Sequence, residues 1–142
     1  MTGFDRAALR KAVTERTSAA VDDLCALVRH DSLLGNEASA QDWIAEQFAK
    51  MGLDVERVTI DIEALRDQPG FSPPVIENYD GRENVVGLHR PQNPTGRSLI
   101  LNGHMDVVPT GPVEQWRRGP FDPYVDGDWL YGRGAGDMKA GI

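Results

Sequence analysis

Two stretches with helical spacing precede every strand candidate in this chain, and that order limits the folds open to it. From about residue 5 to residue 30, Leu9, Val13, Ala20, Leu24 and Leu27/Val28 recur at helical intervals with charges on the other faces. That periodicity predicts a long amphipathic helix. A short break at 31–35 precedes a second helix. There Asn36 is the expected N-cap, and Ala40, Trp43, Ile44, Phe48 and Met51 form the apolar stripe. Gly52 stands where a glycine commonly ends a helix.

Strand signals follow. Residues 53–60 are rich in β-branched side chains, and 84–89 read as a further strand. Between them Pro69-Gly70 and Pro73-Pro74 mark an irregular excursion. The apolar run Leu99-Ile100-Leu101 predicts a strand covered on both faces. Asp126-Gly127, set between Tyr124-Val125 and Trp129-Leu130-Tyr131, predicts a hairpin. A glycine-rich loop at 132–136 then opens what reads as a new helix at Met138. Helices alternating with buried-type strands define an α/β class, and the uneven order predicts a mixed central sheet flanked by helices.

Composition narrows the function classes. With 142 residues, 40% hydrophobic and 26% charged, the chain has the make-up of one globular unit with a modest core. Its net charge of -7 opposes binding through phosphate neutralisation, so neither nucleic acid nor an anionic membrane is an expected partner. Cys25 is the sole cysteine, which rules out an intrachain disulfide and a cysteine-based zinc finger. The opening Met-Thr-Gly-Phe-Asp-Arg has no apolar signal-peptide core, and no apolar run is long enough for a bilayer. The expected compartment is the cytoplasm.

Two constellations carry chemistry. In Asn102-Gly103-His104-Met105-Asp106-Val107-Val108, residues at i and i+2 share a face of an extended segment, so His104 and Asp106 point into one space. A metal-bound histidine commonly gives its other ring N–H to a carboxylate, and Asp106 is placed to orient His104 in that way. A strand-end histidine hydrogen-bonded to a neighbouring aspartate without any metal satisfies the same spacing. In Gly132-Arg133-Gly134-Ala135-Gly136-Asp137-Met138-Lys139, the glycines allow close backbone approach, and Asp137 sits at the mouth of the expected helix. By position Asp137 is either an N-cap or a carboxylate bridging two divalent ions. Spacing alone leaves both alternatives open.

Taken in order, His104-Met105-Asp106-Val107-Val108-Pro109, Trp116, Gly119-Pro120-Phe121-Asp122-Pro123, Asp126-Gly127 and the run from Leu130 to Lys139 resemble the M20 metallopeptidase family. Within it, the resemblance is to the acetylornithine deacetylase / succinyl-diaminopimelate desuccinylase branch. Gly35-Asn36-Glu37 and Gly81-Arg82-Glu83-Asn84-Val85-Val86 also look like that branch. The resemblance implies a zinc-aminopeptidase-like catalytic domain, of which residues 1–142 would be the N-terminal part. The remaining catalytic domain and an inserted dimerisation domain would lie beyond it.

The resemblance further implies that His104 binds one zinc, that Asp137 bridges two, and that Asp106 serves the catalytic centre by orienting His104. It implies zinc, with cobalt or manganese as possible substitutes, and a cis peptide after Asp137. The function implied is an amidohydrolase removing an N-acyl group from an amino acid or related small amide, acetylornithine deacetylase-like, in a homodimer. The alternatives are an M20 dipeptidase or carboxypeptidase, and a non-catalytic binding module. The family's general-base glutamate and its remaining ligands fall later than the bridging aspartate, so Glu77 and Glu114, which precede Asp137, cannot fill those positions. The 142-residue chain alone is therefore expected to be inactive and to bind zinc weakly.

Other residues have structural expectations. Trp116 and Phe121 are expected to anchor a long loop, and Arg133 and Lys139 to fix the glycine-rich loop by hydrogen bonds. Arg117, Arg118, His30 and His89 are expected to be solvated, and Cys25 to be a small buried hydrophobe.

Overall fold

The computed structural model of the chain describes residues 5–76 and 78–142. Glu77 and the first four residues, on which parts of the sequence reading rest, lie outside the described residues. Among those described, no helix is long and apolar enough to cross a membrane.

Helix α1 (Arg6–Val28) starts at Asp5, whose Oδ1 accepts the N–H groups of Ala7 at 2.9 Å and Ala8 at 3.1 Å. This side-chain cap satisfies donors that the first turn leaves without partners. Only the last turn of α1 is buried, through Leu27 and Val28, while Leu9 and Val13 stay exposed. The expected amphipathic stripe thus packs at its C-terminal end alone.

Helix α2 (Ala38–Lys50) has Glu37 at its N-cap position without a side-chain cap bond. The expected cap, Asn36, turns back instead and donates to the backbone and side-chain oxygens of Asp31, both at 2.8 Å. Its amide closes the 31–36 turn, and that local bond outcompetes the cap. The C-terminus behaves as Gly52 predicts. Leu53 N–H donates to Phe48 O and Gly52 N–H to Ala49 O, with Gly52 at φ 78°, which together make a Schellman motif.

Strand β1 (Asp54–Val58) pairs antiparallel with β2 (Asn84–Leu88), in register from Asp54↔Leu88 to Val58↔Asn84. The excursion between them contains one short helix, α3 (Ile62–Leu65), capped by Asp61. Arg82 ties this excursion to the start of α2 by a largely buried 3.0 Å ion pair with Glu37, whose other oxygen accepts Gly35 N–H at 2.8 Å. At Gly87 an added Cβ would fall 2.7 Å from Phe48 and 2.8 Å from Leu53, so α2 lies directly on the strand backbone.

The core is formed by Leu27, Ala40 and Ile44, with Trp43, Phe48, Val85 and Met105 packed around them. It joins both helices, β2 and the segment carrying His104. Ile44→Ala is expected to destabilise the chain by about 2–5 kcal/mol, because buried contacts are lost and a cavity remains. Urea unfolding monitored by circular dichroism reads this, and an unshifted midpoint would place the core elsewhere.

Strands β3 (Tyr124–Asp126) and β4 (Trp129–Tyr131) form the expected hairpin. The two-residue loop is Gly127-Asp128, one position later than the sequence signal, with positive φ at Gly127 only. That is the pattern of a II′ turn. The Tyr124 and Tyr131 rings stack across the hairpin at 4.9 Å.

The chain is therefore α/β, and among the described residues its strands form two separate antiparallel pairs and one isolated parallel bridge, Leu33↔Val107. Leu99, Ile100 and Leu101 form no strand and are 80–87% exposed. A central strand needs hydrogen-bonding neighbours on both sides, and no described segment pairs with this run. The expected helix at Met138 is a single 3-10 turn, Lys139–Gly141.

Candidate metal centre

The His104 segment is held from below by one residue. Ser32 is completely buried; its Oγ donates to Met105 O at 2.5 Å, and its carbonyl accepts Val107 N–H at 2.9 Å. These bonds and the Leu33↔Val107 bridge keep residues 105–107 extended. Met105 and Val107 turn inward, so the period-2 alternation of an extended chain turns His104 and Asp106 outward.

The Asp137 segment is held by glycines. A Cβ on Gly132 would lie 2.6 Å from Val28 Cγ1, and one on Gly134, at φ 80°, would overlap Val107 Cγ1. Only bare backbone fits at both points, which lays the loop against the end of α1 and against the His104 segment. Lys139 N–H donates to Gly134 O at 3.0 Å and closes the loop. Asp137 itself projects outward, its side chain 95% exposed. It does not cap the final turn, since Met138 holds the N-cap position and no side-chain bond is made there. The Asp137–Met138 peptide is cis, as the family resemblance implies.

His104 Nδ1 lies 3.0 Å from Asp106 Oδ1. A carboxylate accepts there, so the ring proton belongs on Nδ1 and the Nε2 lone pair is left free. Nε2 faces Asp137 Oδ1 at 3.6 Å. That separation is too long for a hydrogen bond. It suits two ligands of one cation, because zinc bonds of 2.0–2.2 Å give a tetrahedral edge of roughly 3.4 Å. The two side chains border a cleft of about 250 Å³ together with Asp106, Val108, Arg133 and Gly134. Among the described residues no group of three or more His, Cys, Asp or Glu side chains stands close enough to hold a metal. The pair fits part of a coordination set, with a nitrogen and an oxygen donor of the kinds zinc takes.

Lys139 is 2% exposed, and its ammonium donates to Leu27 O at 3.0 Å and His30 O at 2.8 Å. Burial lowers its pKa to about 8, against an opposing pull from Asp31. His30 is no solvated surface histidine. Its Nδ1 lies 3.1 Å from Ser39 Oγ and its ring tilts against Trp43 at 6.3 Å. Burial, and then the Lys139 charge, push its pKa down. The sequence reading missed this environment because α1 and α2 meet there only in three dimensions. His89 is exposed as expected, and Cys25 is partly buried.

Arg133 fixes the loop as expected. Its Nη2 donates to Thr110 O at 3.1 Å while its guanidinium lies 5.1 Å over the Trp116 ring. Trp116 Nε1 donates to the same carbonyl at 3.0 Å, so the tryptophan is a loop anchor. Arg117 and Arg118 are half to three-quarters exposed but not free, being paired with Asp126 at 2.9 Å and Asp122 at 2.8 Å. Ser32 carried no sequence signal, since nothing in a short break between helices marks one serine as a strap.

An α/β frame presents a carboxylate-held histidine and a second carboxylate to one space, a nitrogen and an oxygen donor of the kinds a divalent metal takes. Known proteins resemble this chain in sequence. Residues 100–142 match the model of peptidase family M20/M25/M40. The chain is 36% identical over 116 residues to a succinyl-diaminopimelate desuccinylase of Acidovorax ebreus, and 37% over 117 residues to one of Methylorubrum extorquens. A third such relative, from Stenotrophomonas maltophilia, is 32% identical over 126 residues. These alignments cover 82%, 82% and 88% of this chain but 27%, 26% and 28% of the relatives. Over residues 100–142 the chain is similar to the M20/M25/M40 peptidases, and over most of its length to succinyl-diaminopimelate desuccinylases, and it spans about a quarter of the length of the curated relatives it matches.

Proposed function

We propose that this chain supplies one side of a divalent-metal site in an amide hydrolase that releases an acyl group from a small N-acylated amino acid. The observation that carries the reading is the free His104 Nε2 facing Asp137 Oδ1 at 3.6 Å with Nδ1 already engaged by Asp106. Residues 1–142 would form the N-terminal part of the catalytic domain. The relatives' names favour a succinyl over an acetyl group, which shifts the acetylornithine deacetylase-like expectation toward desuccinylation.

His104 and Asp137 would hold the metal, with Asp137 the candidate bridge between two ions. Bound there, zinc, cobalt or manganese supplies Lewis acidity that activates water and polarises the amide carbonyl. Asp106 holds the imidazole in the Nδ1–H tautomer and leaves the Nε2 lone pair free for a metal. The glycine-rich loop brings the Asp137 carboxylate to 3.6 Å from His104 Nε2 while keeping it accessible from the cleft.

The test is hydrolysis by the full-length protein after chelation and after return of zinc, cobalt or manganese. N-succinyl-diaminopimelate, N-acetylornithine and a dipeptide are compared as substrates. The expected result is metal-dependent hydrolysis with the succinyl substrate preferred. Hydrolysis indifferent to thorough chelation would overturn the reading, and preferred cleavage of the dipeptide would move the protein to the peptidases. Asp106→Ala is expected to weaken zinc binding about 10–100-fold with little change in melting temperature, since it removes an orienting partner that is itself exposed. Unchanged zinc affinity in chelator competition would remove Asp106 from the site.

A further inference from the structure

Both arms of the candidate site converge on one short stretch, residues 27–32, at the end of α1. Ser32 reaches the His104 arm, through Met105 O and Val107 N–H. Lys139 reaches it from the Asp137 arm, donating to Leu27 O and His30 O across 112 and 109 residues of sequence. Burying an ammonium is unfavourable unless it is well hydrogen-bonded. Here two carbonyls accept from it, Leu27 O in the last turn of α1, at the negative end of the helix dipole, and His30 O just beyond that end. The lysine stem also lies against the glycine loop, 3.5–3.6 Å from where a Gly134 Cβ would stand. Its own N–H holds Gly134 O, so Lys139 grips the loop at one end and the helix at the other.

Resting on the function proposed above, we propose that residues 27–32 are a common bracket for the metal site. Lys139 and Ser32 are its two positioning residues, and together they set the separation between Asp137 and His104. Neither side chain touches the metal. Lys139 acts through Asp137, two residues before it, and Ser32 acts through the 105–107 segment that turns His104 outward. The bracket explains why a lysine is buried where a plain apolar side chain would fill the same space. Only a cation on a long stem both spans from the loop to the helix end and satisfies its carbonyls.

The experiment is a double-mutant cycle in the full-length protein, read by zinc affinity in chelator competition and by the visible spectrum of the cobalt(II) form. Lys139→Met keeps the stem and removes the ammonium. It is expected to weaken zinc binding at least tenfold and to alter the cobalt bands. In an Asp137→Asn background the same change is expected to cost less than threefold, because the group it positions has already been weakened. An equal loss in both backgrounds, or no loss, would overturn the proposal. Should Lys139→Met fail to fold by circular dichroism, Ser32→Ala with and without His104→Ala decides by the same non-additivity. If Asp137→Asn and His104→Ala themselves leave zinc affinity unchanged, the proposed function falls. If they abolish it while both bracket variants bind as the wild type does, the bracket alone falls.

Discussion

Replacing His104 by alanine is expected to remove most of the bound metal and to lower the catalytic efficiency of the full-length protein by more than a hundredfold. Loss of an outer partner of a metal ligand already costs about 10–100-fold, and a direct ligand contributes more. The side chain is half exposed, and its side-chain partners among the described residues are the exposed Asp106 and Asp137, so the fold has little stake in it. Elemental analysis should therefore show zinc falling while the unfolding midpoint stays within experimental error. Full zinc occupancy in the alanine variant would show that the 3.6 Å pair is only a surface contact.

Gly134→Ala is expected to have the largest effect on stability. At φ 80° an L side chain is strained, and its Cβ would run into Val107 Cγ1, a buried side chain on the other arm of the site. Strain in the left-handed region costs roughly 1–2 kcal/mol and overpacking roughly 1–3 more, so a loss near 2–5 kcal/mol is expected. Any relief of the overlap pushes the 132–139 loop from the 105–107 segment, so zinc binding should fall together with stability. Gly136→Ala is the control. It lies in the same loop, without positive φ and with open space around an added Cβ, and should shift stability by less than about 0.5 kcal/mol. Equal effects of the two alanines in thermal denaturation would show that loop composition, rather than the Gly134–Val107 contact, matters.

Much of the framework was legible because it depends on neighbours in sequence. The Schellman end at Gly52 follows from a glycine after an apolar stripe, and the β3–β4 hairpin from a turn between two short strands. The outward pairing of His104 with Asp106 follows from the two-residue period of extended chain. Other expectations failed where the outcome depends on distant partners. Asn36 bonds Asp31 instead of capping α2. Residues 99–101 have the composition of a central strand, yet composition cannot supply the neighbours that make one. The apolar positions of α1 repeat at helical spacing, but Leu9 and Val13 stay exposed and full burial comes only at Leu27 and Val28.

The sequence by itself determined the α/β class and the extents of α1 and α2 to within a few residues, and it singled out His104, Asp106 and Asp137 as the residues of a candidate site. These rest on local periodicity, turn chemistry and an ordered run of residues, all encoded over short spans. Only the tertiary structure decided that Asp137 faces His104 rather than capping a helix, that His30 is sheltered between α1 and α2, and that Ser32 and Lys139 tie both arms to one helix end. Those facts depend on contacts between segments that lie from 9 to 112 residues apart. Physical chemistry sets such contacts through burial and partner geometry, which exist only once the chain has folded.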